Sequence, residues 1–326
     1  MSLPKIQRIV QQSTDSKSRN GRNMLLRLTP ASYEGKGDVR KSVTDDPLPE
    51  PRDISQYALK DIHRPTTEVT YLFTAHGQII AHDLSRAIQP STNCCLPHNA
   101  EKEECTMAIS VRPDDPFYSQ FNKTCISFQR SKQCIFCKTV HRAQKNSATA
   151  QLDANIVYGV SEEEVKKLRA NDETGKLKSS AKNKGYLLPA GKDKRDPFCP
   201  KGQDSKCFLS GDFRVNMHAT LTSLQTVYMR QHNKIANRLK KINPHWGDEK
   251  LFQEARKILI ALHQCITNKE YLPILLGRNT VELFDLSVKN GPRGTKYFSQ
   301  VLLAEFQEHA HAAFRLHSMV PTYIGL

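Results

Sequence analysis

The sequence predicts a mainly α-helical domain with long loops and little β structure. Three observations carry this: apolar residues recur at helical spacing through several long segments, no stretch alternates convincingly with a two-residue period, and no internal repeat appears. At 326 residues the length admits one large domain or two ordinary ones. A change of composition near residue 55 separates an extended, partly disordered arm over 1–55 from a helical domain over 56–326.

Residues 1–55 are polar and basic, and Pro47, Pro49 and Pro51 close the stretch, so it reads as an arm that wraps a larger body. From Glu68 to Ala87 apolar residues recur at Leu72, Ala75, Ile79 and Leu84 with one Gly and no Pro, which predicts a helix with a buried face, ended by Pro90. The Cys-rich segment to about Arg130 reads as loop. Ser161-Glu162-Glu163-Glu164 is a capping box opening a short charged helix, and the Lys-, Gly- and Asp-rich residues 170–210 are again loop. Long amphipathic helices are expected over Arg214–Ile242 and Glu249–Asn268, the second on Leu251, Ala255, Ile258, Leu262 and Ile266, and a last helix from about Tyr297 to His317.

Composition bounds the function. No run of about 18 apolar residues is present to span a bilayer as a helix. Forty-eight Lys and Arg against 33 Asp and Glu give +15, but the basic residues are scattered, with no aromatic–basic platform and no zinc-finger spacing, so they read as a solvated surface and not as a nucleic-acid site. Eight of the nine cysteines (Cys94, Cys95, Cys105, Cys125, Cys134, Cys137, Cys199 and Cys207) fall in loop-like segments, which favours disulfides formed in an oxidising compartment over a metal site at Cys134-x-x-Cys137. Asn122-Lys123-Thr124 is an N-glycosylation sequon; Met1–Asn20 is polar and shows no signal peptide.

Four constellations carry chemistry-bearing groups. Gln78 and His82 lie four apart and share a helix face, while Asp83 points about 100° away. In Thr149–Gly159 oxygen-bearing side chains alternate at Thr149, Gln151, Asp153 and Asn155, a pattern that suits either a Ca²⁺ site or a polar turn before the Ser161 helix. Arg214 stands at a helix start, where a permanently charged guanidinium can polarise a bond or serve as a cap. His317 ends the last helix, as an iron ligand or as a partner of the helix dipole.

Taken in order, Gly77-Gln78-x-x-x-His82-Asp83, Leu152-Asp153-x-x-x-Val157-Tyr158-Gly159, Gly211-Asp212-x-Arg214-x-Asn216, Gln231-His232-Asn233-Lys234 and Ala313-Phe314-Arg315 resemble the motifs of animal haem peroxidases, and the similarity spans roughly Leu26 to His317. The resemblance implies a haem-dependent peroxidase of extracellular location that reduces hydrogen peroxide and oxidises a halide or a phenolic or other organic donor. It further implies His82 as the distal acid–base group, Gln78 as its pocket neighbour, Arg214 as the distal arginine and His317 as the proximal haem-iron ligand. Asp83, Thr149, the Gln151 carbonyl, Asp153 and Asn155 would hold a structural calcium. Where many members carry ester-forming carboxylates this chain has Ala81 and Met217, which implies haem b held without those links. The proximal motif has one residue, Leu316, between Arg315 and His317 where two are common, with His309 and His311 nearby, and the chain stops before the family's remaining helices.

Two other functions are open on the sequence. Lys36-Gly37-Asp38 resembles the integrin-binding sequence of peroxinectin-like members and suits an adhesion or matrix protein on a peroxidase scaffold; a related fatty-acid oxygenase is the other.

Overall fold

The apolar periodicities expected to be helical over 68–87, 214–242 and 249–268 are helical through most of their length. The structure, a computed structural model, describes residues 24–34, 39–59, 68–105, 108–135, 141–180, 187–191, 193, 196–200, 202, 206–287, 303–314 and 319–320. The helices are α1 (Pro51–Ala58), α2 (Tyr71–Leu84), α3 (Asn155–Tyr158), α4 (Glu162–Leu168), α5 (Ala219–Ile242) and α6 (Asp248–Ile266). A π turn over Thr267–Tyr271 then leads into α7 (Leu272–Leu276) and α8 (Arg278–Leu283). Among the described residues, extended pairing is confined to isolated bridges and one short antiparallel pair, β1 (Ile109–Ser110) with β2 (Cys125–Ile126). No described helix is long and apolar enough to cross a membrane.

Several boundaries differ from the sequence reading, each for a local reason. Pro51 sits in the first turn of α1, where its missing N–H costs nothing, so a helix crosses the division placed at residue 55. The helix expected from Arg214 begins at Ala219. Before it, Phe213–Asn216 forms a 3₁₀ turn capped by the Asp212 side chain, and His218 is fully extended, with φ −161° and ψ 162°. Ser161 caps α4 as its box predicts, accepting from Glu164 N, but the Glu164 carboxylate reaches Val160 N, one residue before the usual partner. Of the expected last helix the described part is helical over Gln307–Ala313, ending in a π turn.

The main core lies where α2, α3, α5 and α6 meet, built on Ile79, Ile156, Tyr158, Leu221, Met229, Phe252 and Leu259. Met24 and Leu26, in the segment read as an arm, are buried and bridge to Lys145 and Phe306. Disulfides Cys94–Cys105, Cys95–Cys125 and Cys199–Cys207 staple the loops, and Cys134 is disulfide-bonded too, which removes it as a metal thiolate. Cys137 and Lys36-Gly37-Asp38 lie outside the described residues.

One buried histidine ties α5 to α3 and to the loop at Gly175. His232 on α5 donates from Nε2 to Gly175 O at 2.9 Å, so its Nδ1 is the acceptor for the Tyr158 hydroxyl at 2.8 Å. Burial pushes this imidazole down to about 4 from an ordinary value near 6.5. The unfolded chain therefore takes up the proton first: the stability contributed by neutral His232 is complete above about pH 6.5 and is lost as pH falls towards 4. The His232 contribution is expected to fall by about 3 kcal/mol over that window, so a His232→Gln variant should lose about that much less stability than the wild-type chain between the same two pH values, measured as urea midpoints against pH.

Candidate functional site

Residues four apart on a helix share a face, and α2 uses this to aim Gln78 and His82 into one cavity of about 1390 Å³, somewhat larger than the roughly 300–1,000 Å³ usual for ligand pockets. Ala81 lines it from the same helix. Arg214, Met217 and His218 line it from the turn before α5, and Ala310, His311 and Phe314 from the C-terminal segment. His317 lies outside the described residues.

Arg214 is held by its neighbours before any ligand arrives. Its Nε and Nη2 donate to the two Asp212 oxygens at 2.9 and 2.7 Å. Nη2 also donates to His82 O and Ser85 O at 3.1 Å each, so the guanidinium caps carbonyls at the end of α2. Asp212 is completely buried, and Arg86 Nη1 lies 3.5 Å from its Oδ2. Burial alone would raise this carboxyl; Arg214, with help from His82 and Arg86, overrides it and holds the group well below the usual carboxylate range. Gln78 is fixed as well, its Oε1 accepting from His218 Nε2 at 2.6 Å.

The same wall is anchored from outside the cavity. Asn216 donates to Asp196 Oδ2 at 2.7 Å and exchanges bonds with the Phe208 backbone, its Oδ1 accepting from Phe208 N and its Nδ2 donating to Phe208 O, each at 2.9 Å. The Cys199–Cys207 disulfide lies between those two grips.

Asp83 faces away from the cavity, as its position on α2 requires. It is fully buried, with Oδ2 accepting from Ala154 N at 2.9 Å and Oδ1 from Ile156 N at 3.3 Å. Around it the 149–156 turn gathers three of the predicted oxygen-bearing residues. Asn155 Nδ2 lies 2.6 Å from Asp83 O, 2.9 Å from Thr149 Oγ1 and 3.0 Å from Asp153 Oδ1. Three acceptors converge on an amide with two hydrogens, while Asn155 Oδ1 is buried without a hydrogen-bond partner. Gln151 is half-buried in the same turn. Ala150 and Ala154 both adopt left-handed φ of 56°, a conformation costing roughly 1–2 kcal/mol for an L-residue, so the turn holds its shape at some expense.

The structure thus brings Gln78, His82 and Arg214 together at one cavity and Asp83, Thr149, Asp153 and Asn155 together behind it. Sequence reasoning assigned no role to Arg86, His218, Tyr228 or His263. Asp212 was visible only as part of the Gly211-Asp212-x-Arg214 motif, and its spacing of two from Arg214 was the usable signal.

Comparison with known proteins shows where this arrangement occurs. A family model described as "Animal haem peroxidase" matches residues 15–326. The chain is 38% identical over 275 residues to a chorion peroxidase of Aedes aegypti, covering 80% of this chain and 34% of that protein. It is 34% identical over 317 residues to a chorion peroxidase of Drosophila melanogaster, covering 92% and 39%. It therefore spans a third to two-fifths of the length of these relatives. A solved peroxidase A from Dictyostelium discoideum superimposes with a TM-score of 0.69 at 24% identity, covering 90% of this chain and 54% of that one, a likeness of fold.

Gly211 is where these parts touch most closely: a Cβ there would lie 2.2 Å from Asn155 O and 2.3 Å from Gly159 N, and backbone does not yield. Gly211→Ala is expected to cost about 3 kcal/mol or more, while Gly247→Ala, with open space around its Cβ and only the N-cap preference of α6 to lose, is expected to cost about 1 kcal/mol or less in the same denaturation experiment.

Proposed function

The chain belongs to the animal haem peroxidase family, and from that premise we propose that it carries the distal pocket of an extracellular haem peroxidase that reduces hydrogen peroxide and oxidises a halide or an organic donor. The observation behind the reading is the meeting of Gln78 and His82 of α2 with Arg214, from a distant part of the chain, on the wall of one cavity.

That cavity fits a haem in volume and in its mixed apolar and polar lining. Bound haem would supply the iron and the redox chemistry, and His317 is the residue the family implies would hold that iron. The chain's own part is proton handling and charge. His82 lines the cavity where it would accept a proton from one peroxide oxygen and return it to the other, which leaves as water. Arg214 stabilises the negative charge that develops, and because Asp212 and two carbonyls already hold it, little reorganisation is needed at the moment of reaction. Gln78, oriented by His218, offers a polar group beside them. Ala81 and Met217 line the cavity without a carboxylate, which supports haem held without ester links.

We assign the convergence of Asp83 O, Thr149 Oγ1 and Asp153 Oδ1, together with the buried Asn155 Oδ1, to a calcium ion, with the Gln151 carbonyl completing the set. Hard oxygen donors of mixed carboxylate, hydroxyl, amide and carbonyl type are what Ca²⁺ selects. Such an ion would fix α2 from the side away from the cavity, and with it the direction of His82. The disulfides support an extracellular setting.

Reconstitution of the full chain with haem is expected to produce a Soret band, and His82→Ala to keep that band while lowering peroxide-dependent oxidation about 10²- to 10⁴-fold. Absence of the band would sink the haem reading; undiminished activity in the variant would remove His82 from its role. Calcium at a hundred times its Kd is expected to stabilise the chain by about 2.7 kcal/mol over the chelated form, and Asp153→Ala to abolish most of that difference in thermal melts. Equal melting with calcium and with chelator would rule out the ion.

A further inference from the structure

Behind α2 a second imidazole faces the Asp83 carboxylate. His263 is fully buried on α6, one position further along the stripe Leu251, Phe252, Ala255 and Leu259 that otherwise packs the core. An apolar side chain would fill such a place without the cost of burying a polar ring, so the ring's two nitrogens need an account. Nδ1 lies 2.8 Å from the Tyr228 hydroxyl of α5. With the phenol donating to Nδ1, the imidazole hydrogen sits on Nε2, which lies 3.5 Å from Asp83 Oδ2 and has no hydrogen-bond partner at ordinary distance.

A second contact keeps this geometry in register. The Thr267 hydroxyl, in the π turn that follows α6, donates to His263 O at 2.9 Å and lies 3.3 Å from Nε2 of His76. His76 and Asp83 are seven apart on α2 and share a face, so α2 is tied to the end of α6 two turns apart. Mid-helix π turns are a recurrent device for placing side chains that a regular helix would misdirect.

We propose that His263, oriented by Tyr228, is a positioning residue of the cation site: it holds the Asp83 carboxylate from α6 while Ala154 N and Ile156 N hold it from the turn. The inference rests on the calcium reading above and names an outer partner that reading does not contain. Asp83 supplies its carbonyl to the calcium set, residues that ligate a metal are themselves fixed by hydrogen-bonding neighbours, and losing such a neighbour typically lowers metal affinity about 10- to 100-fold.

The test is calcium binding to the 326-residue chain by calorimetry, with terbium luminescence as a second probe, on variants confirmed as folded by circular dichroism. His263→Leu is expected to weaken binding about 10- to 100-fold, and His263→Gln, which keeps an N–H donor, to recover part of it. Tyr228→Phe removes only the hydroxyl and is expected to give a smaller loss; it also covers the case in which His263→Leu does not fold. Unchanged affinity in folded His263→Leu and Tyr228→Phe overturns the proposal, since a residue that only packs would lower the melting temperature equally with calcium and with chelator. A wild-type chain that binds no calcium overturns the cation reading itself, and the inference with it.

Discussion

A completely buried carboxylate, Asp212, between two guanidiniums is the constraint from which the rest of the site follows. A charge taken out of water is tolerable only when paired and hydrogen-bonded, so Arg214 and Arg86 must both reach it. Arg214 can do so only if the turn before α5 lies against the end of α2, whose carbonyls at 82 and 85 it caps. Arg86 in turn grips Ser147 O at 2.7 Å and Asn146 accepts from its backbone N–H at 2.8 Å, which brings the 146–156 segment alongside the same helix end. That segment then closes on Asp83. One ion cluster thereby assembles two distant stretches of chain around the end of a single helix.

The arrangement divides the work of α2 by face. Gln78 and His82 look into the cavity, Ile79 into the core, and His76 and Asp83 towards α6 and the 149–156 turn. Because the helix is engaged on both its cavity side and its far side, a change behind it is felt in front of it. The left-handed alanines at 150 and 154 and the close backbone approach at Gly211 are local costs of bringing the turn near enough, offset by the core around Tyr158 and Phe252.

Much of this was legible in the residues. The pairing of Gln78 with His82 and the divergence of Asp83 need only the helical period, and alternation at 149, 151, 153 and 155 placed the oxygens in one turn. The start of α5 was not legible: Arg214-Val215-Asn216 continues an amphipathic pattern, and only the Asp212 cap and the extended His218 separate turn from helix. Disulfide pairing was out of reach because eight cysteines allow about 105 connectivities, and proximity alone chooses among them. His263 went unread for a related reason. A histidine on an apolar stripe has no sequence mark distinguishing a satisfied core residue from one aimed at a carboxylate on another helix.

The Cys199–Cys207 bond has a consequence reaching past its own loop. The segments it joins each hold Asn216, one through Asp196 and the other through the Phe208 backbone, and Asn216 stands two residues from Arg214. The wall of the pocket is thus finished by a covalent step that the chain cannot carry out alone and that needs an oxidising surrounding. The geometry around Arg214 is thereby tied to the redox state of the protein's surroundings as well as to its sequence.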